Sequence, residues 1–155
     1  MNYNSLQYFI EQNDIENFEK AILMNKNQLN TLNQFGETLL MSSVYSKGKF
    51  SKILIRNGID LEIKNQNGDT ALLLNCQICW TRQNIIKYLI KNNANVNVQN
   101  NFGYTPLMYA IENNCIDVVS MLLKYGAKTN LKNKKNKTVF DIDSNNLIKK
   151  KGNMN

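Results

Sequence analysis

The sequence predicts an all-α fold in which about five helix-turn-helix units stack into one solenoid, joined by short turn hairpins. Three observations carry this. A motif of about 33 residues returns three times in phase, apolar residues inside each copy keep the helical period, and each copy places glycine and threonine at the same offsets. The 155 residues suffice for one domain with a continuous core.

The copies read NQFGETLLMSSVYSKGKFSKILIRNGIDLEIKN, NQNGDTALLLNCQICWTRQNIIKYLIKNNANVNVQN and NNFGYTPLMYAIENNCIDVVSMLLKYGAKTNLKN. Thr38, Thr70, Thr105 and Thr138 are spaced by 32, 35 and 33 residues. Two residues before the first three stand Gly36, Gly68 and Gly103, where a tight turn needs positive φ. Each threonine then caps a first helix with its hydroxyl, and Pro106 follows where a first helical residue tolerates proline. Leu40, Leu72 and Leu107 bury that helix. After a polar turn, a second helix carries its apolar face on residues such as Leu54, Leu89, Val118 and Leu122. Gly58, Asn93 and Gly126 close it in the left-handed cap position. These apolar residues form the expected core.

The segment GYTPLMYAIENNCIDVVSMLLKYGAKTN resembles the ankyrin repeat, with its G-x-T-P-L-H-x-A-A start and trailing L-L-x-x-G-A-x-x-N, although Met108 replaces the histidine and Ile111 the second alanine. The copy at 33–64 has Leu39 for the proline and one residue fewer between its helices. The copy at 65–99 has Ala71 and Asn93 in place of proline and terminal glycine, and two extra residues around Cys79 and Trp80. These length changes fall in the helix-helix turn, so they alter a loop and leave the stack intact. The resemblance implies a degenerate N-terminal cap over 1–32, internal repeats at 33–64, 65–99 and 100–132, a truncated cap at 133–150 carrying Thr138, Phe140, Asp141 and Ile142, and a disordered tail at 151–155.

Asn makes up roughly one residue in six, which points to an AT-rich coding sequence more readily than to a function. No basic segment followed by an apolar core opens the chain, and no run approaches the roughly 18 apolar residues of a membrane span. The expectation is a cytoplasmic monomer whose three cysteines are reduced thiols. All of the +7 net charge falls after residue 120, where nine lysines face Asp141 and Asp143, while residues 1–119 sum to zero.

Catalysis finds no support. The chain has no histidine and no phosphate-binding loop of the GxxxxGK[ST] type, and its paired carboxylates belong to capping motifs or solvated faces. Cys76 and Cys79, with Cys115 one repeat on, make half a zinc site without enough further ligands, so no metal or cofactor is expected. Cys76 instead reads as a small core residue.

The expected activity is binding. The resemblance implies a concave surface of turn tips and first helices, with positions free to vary at Gln34, Phe35 and Glu37; at Gln66, Asn67 and Asp69; at Asn101, Phe102 and Tyr104; and at Lys134, Lys135 and Lys137. On the first helices these are Tyr45, Gln77, Glu112 and Asn113. Phe35, Phe102 and Tyr104 either meet a partner or fold back on a neighbouring turn. Trp80, at the opposite edge, is either a contact residue or a plug over the enlarged turn. The expected partner is a protein, one with an acidic surface if the lysines steer it, and the chain would inhibit, neutralise in the manner of an antitoxin, or adapt. The alternative is a basic surface at the lysine-rich end that binds nucleic acid or anionic membrane. Against it, that end has no arginine and little aromatic interleaving.

Overall fold

The structure, a computed structural model, describes residues 3–43 and 48–148. Within them the chain forms α-helices joined by turns and short 3-10 segments, with no strand among the described residues. Four helix pairs follow in order: α1 (Tyr3–Glu11) with α2 (Ile15–Met24), α3 (Leu39–Ser42) with α4 (Lys49–Arg56), α5 (Ala71–Gln77) with α6 (Gln83–Lys91), and α7 (Pro106–Glu112) with α8 (Ile116–Lys124). A single turn, α9 (Val139–Ile142), ends the stack. Tyr45, the shortened turn that contains it and the 151–155 tail lie outside the described residues.

The threonine caps form as the spacing predicts. Thr38, Thr70 and Thr105 accept hydrogen bonds from the N–H groups of Met41, Leu73 and Met108, which satisfies one orphan donor at the start of α3, α5 and α7. Thr138 differs, because Asp141 closes a reciprocal capping box with it. Asn93 ends its helix in the left-handed region, at φ 68°.

Stacking runs through two layers. First helices pack on one another along α1, α3, α5, α7 and α9, and second helices along α4, α6 and α8. One cluster joins the layers, with Leu40, Leu54, Leu72, Leu89, Leu107, Val118 and Leu122 all buried in it. Phe18 of α2 meets Phe50 of α4 edge to face, ring centroids 4.9 Å apart, which carries the second layer toward the N-terminal pair. The two extra residues of the third unit fold into a 3-10 turn, Cys79–Thr81, and the helices on either side keep their place in the stack.

Candidate functional site

Each turn tip is organised by one asparagine, five residues before the capping threonine. The Oδ1 of Asn33 accepts from the N–H groups of Phe35 and Glu37, both at 2.9 Å. Asn65 does the same for Asn67 and Asp69, Asn100 for Phe102 and Tyr104, and Asn133 for Lys135 and Lys137. The backbone N–H of each asparagine donates to the carbonyl four residues on. An amide side chain thus stands in for a missing strand partner and fixes the tip as a closed loop. At the last tip Asn136 takes the left-handed position, φ 57°, that glycine holds in the others.

The abundance of asparagine therefore has a structural use that composition alone did not reveal. The usable signal was phase: Asn33, Asn65, Asn100 and Asn133 repeat with the threonines. A second set, Asn25, Asn57, Asn92 and Asn113, donates side-chain amides to carbonyls in the last turns of α2, α4, α6 and α7.

Gln34, Phe35, Gln66, Asn67, Asn101, Phe102, Lys134, Lys135 and Lys137 stand exposed along one edge of the stack, with Glu112 exposed at the end of α7 beside them. Phe35 keeps 62% of its surface and Phe102 57%, so neither ring folds back. Tyr104 does fold back. Its ring lies 4.9 Å from that of Tyr109 and its hydroxyl donates to Glu112 at 2.8 Å. That bond to a carboxylate, with burial second, pushes the Tyr104 hydroxyl up to about 12. Glu37, Gln77 and Asn113 are half-buried, and Asn113 bridges to the preceding unit by donating to the Gln77 carbonyl.

Asp69 departs from the expectation of a free position. It is buried, and its carboxylate accepts a 2.8 Å hydrogen bond from Asn100 of the following turn. A buried carboxylate needs such a partner, so the pair ties two turns together. Below the tips, Tyr104, Glu112, Lys135, Lys137 and Asp141 line an open groove of about 340 Å³. Thr138 hydrogen-bonds hold the Asp141 carboxyl below the usual carboxylate range. The groove mixes both signs of charge.

Two expectations at the opposite edge are corrected. The cysteines are not all thiols: Cys79 and Cys115 form a disulfide, their Cα atoms 6.2 Å apart. The pair is 36 residues apart, about one repeat step, with Cys79 in the 3-10 turn of the two-residue expansion and Cys115 at the N-cap of α8. Parity in the sequence could not show this, because the third cysteine, Cys76, is a buried core residue whose thiol burial pushes up. With Cys79 and Cys115 bonded to each other, the half zinc site has no paired thiolates. Trp80 is no plug, since 66% of its surface is exposed.

The family model for ankyrin repeats (3 copies) matches residues 4–100 and 46–133. The chain is 32% identical to an ankyrin repeat protein of Acanthamoeba polyphaga mimivirus, with 90% of this chain and 29% of that one aligned. It is 30% identical to an ankyrin repeat protein of variola virus, over 82% of this chain and 24% of the other. A third relative, an ankyrin repeat protein of Rickettsia bellii, is 30% identical over 70% of this chain and 74% of its own length. The chain thus spans under a third of the two viral proteins. On its phased repeats, its two-layer stack and these matches alike, the chain belongs to the ankyrin repeat family, whose repeats serve in general as protein–protein interaction modules.

Proposed function

We propose that the chain works by binding and not by catalysis, holding or blocking one protein partner against the face made by its turn tips and first helices. The observation that carries this is the presentation of Phe35 and Phe102. Two largely exposed aromatic rings stand on tips whose backbones are closed by Asn33 and Asn100, so little ordering entropy opposes their burial against a partner. The units 33–64, 65–99 and 100–132, between caps at 1–32 and 133–150, set the spacing of these tips. Inhibitor, antitoxin-like protein and adaptor share this one physical act. We assign the chain a monomeric state when alone. Among the described residues no helix is long and apolar enough to cross a membrane.

The tip lysines steer the encounter. Lys134 and Lys135 are exposed at the rim, so their reversal to glutamate slows association and flattens its salt dependence while leaving dissociation nearly unchanged. The mixed-sign groove beneath them, with Glu112 and Asp141 beside Lys135 and Lys137, suits a polar protein surface better than a nucleic-acid backbone or an anionic membrane. The test is a parallel capture from the native cell with wild type and a Phe35→Ala/Phe102→Ala variant. A partner retained by wild type and lost by the variant is expected. Equal capture by both overturns the assignment of the face.

A further inference from the structure

Residues 1–119 are neutral in sum, yet the fold sorts their charges by face, and Lys124 from the lysine-rich end joins one of those faces. The second helices α4, α6 and α8 expose Lys49, Lys52, Arg56, Lys87, Lys91 and Lys124, against one acidic residue, Asp117. On α4 the spacing of three and four residues, and on α6 of four, keeps each set on one side of its helix. The three helices lie side by side in that order. Lys52 of α4 reaches over the Tyr88 ring of α6, its Nζ 5.9 Å from the centroid, so the basic residues of neighbouring helices share one surface. The stripe begins at α4, because on α2 Glu16 and Glu19 outnumber Lys20, and Lys20 is paired with Glu16 at 2.6 Å.

None of the six cations is ion-paired to a described carboxylate. A surface built only for solubility intersperses both signs, and this one does not. Between α6 and α8 it also sinks into an open groove of about 480 Å³, where Lys87, Lys91 and Lys124 outnumber the one carboxylate, Asp117, and with Ser120 surround Met121 and the half-exposed ring of Tyr125. Cations around an apolar floor match a ligand that offers carboxylates and an apolar side chain together. A nucleic-acid backbone would use the charge and leave the floor unfilled, and with a single arginine in the stripe bidentate phosphate contacts are few.

We propose that this outer face is a second docking surface, opposite the turn tips, for an acidic amphipathic segment of a protein partner, with its carboxylates on the lysines and an apolar side chain against Met121 and Tyr125.

The test uses fluorescence anisotropy of the full chain with a fluorescein-labelled peptide of repeating Glu-Glu-Leu, a peptide of equal length and charge with serine for leucine, and single-stranded and duplex DNA of matched charge. The Lys87→Glu/Lys91→Glu/Lys124→Glu variant is expected to weaken the leucine peptide by about tenfold or more, since exposed pairs contribute singly little and jointly about that factor. A Lys26→Glu/Lys132→Glu control, outside the second helices, should stay within about threefold. The leucine peptide should bind more tightly than the serine peptide. If the reversed variant melts early, Lys87→Gln/Lys91→Gln/Lys124→Gln takes its place. Unchanged binding by the outer-face variant, equal binding of the two peptides, or DNA that binds more tightly than either peptide and is lost with the same lysines would each overturn the proposal. None of these results bears on Phe35 and Phe102, so this surface and the turn-tip face fail separately.

Discussion

The junction between the α3/α4 and α5/α6 pairs and the next one, between α5/α6 and α7/α8, share apolar stacking and side-chain hydrogen bonds, and the second adds direct bonds between its turns. Across the first, exposed side chains do the bonding: Lys64 donates to the Gln99 carbonyl and Glu62 accepts from the Asn95 N–H, both at 2.8 Å. Across the second, the turns bond directly. The Asn101 N–H donates to the Asn67 carbonyl at 2.9 Å, Asn100 reaches buried Asp69, and the Cys79–Cys115 bridge closes the far edge. A methyl group added at Gly36 would meet the movable Cγ of Gln66 at 3.1 Å, whereas one at Gly68 would press on Asn101, 2.8 Å from its backbone nitrogen. Apolar burial thus sets the stacking at both junctions, and the direct turn-to-turn bonds bring the second pair of turns closer together.

Because the apolar part is shared, Leu54→Ala and Leu107→Ala should cost alike, about 2–5 kcal/mol each in urea unfolding. A large gap between them would place the difference in the core and not in the stitching. The glycines should separate the junctions. Both have positive φ, so an alanine at either position bears about 1–2 kcal/mol of strain, but Gly68→Ala adds about 1–3 kcal/mol from overpacking on backbone that cannot yield. Equal melting temperatures for Gly36→Ala and Gly68→Ala would remove the basis of the comparison. Asn100→Ala leaves the N–H groups of Phe102 and Tyr104 and the buried Asp69 carboxylate short of a partner, at about 1–3 kcal/mol, and hydrogen exchange should rise first at those two amides.

Both ends of the stack carry capping carboxylates that respond to acid. Hydrogen bonds from Asn17 hold the Asp14 carboxyl below its ordinary 3.8, and those from Thr138 do so for Asp141. A depressed carboxylate contributes its full stability above the unfolded-state value and loses it as pH falls through the lower folded-state value. The window therefore opens near pH 3.8 and extends below it. Thr38, Thr70 and Thr105 do not titrate, so acidification should raise exchange in α2 and α9 before α5 and α7.

Much of this was legible in the sequence, because helix period, threonine caps and buried leucines are local features that repeat in phase. Asp69 was not, since its partner lies 31 residues on and only the stack brings them together. The disulfide escaped for the same reason, one repeat step separating its halves. Asparagine was visible only as a bias, although Asn33, Asn65, Asn100 and Asn133 carried the repeat's phase. The basic outer face was hidden by summing charge along the chain, which averages over a helix the sides that packing separates. Of the turn-tip residues, Phe35 and Phe102 stand as exposed as their position suggested, while Tyr104 is drawn inward by Tyr109 and Glu112, neighbours that a linear reading does not supply.

For the partner held at the turn-tip face, the exposed tip rings carry the binding and the buried core beneath them supports their position. The most direct measurement is of Phe102→Ala, with melting temperature and affinity for the captured partner read on the same preparation. The exposed ring stabilises little, so the melting temperature should stay within about 1–2 °C of wild type, while affinity falls by more than about 1 kcal/mol. A variant that binds as wild type does, or that loses affinity only in step with its melting temperature, would contradict the claim.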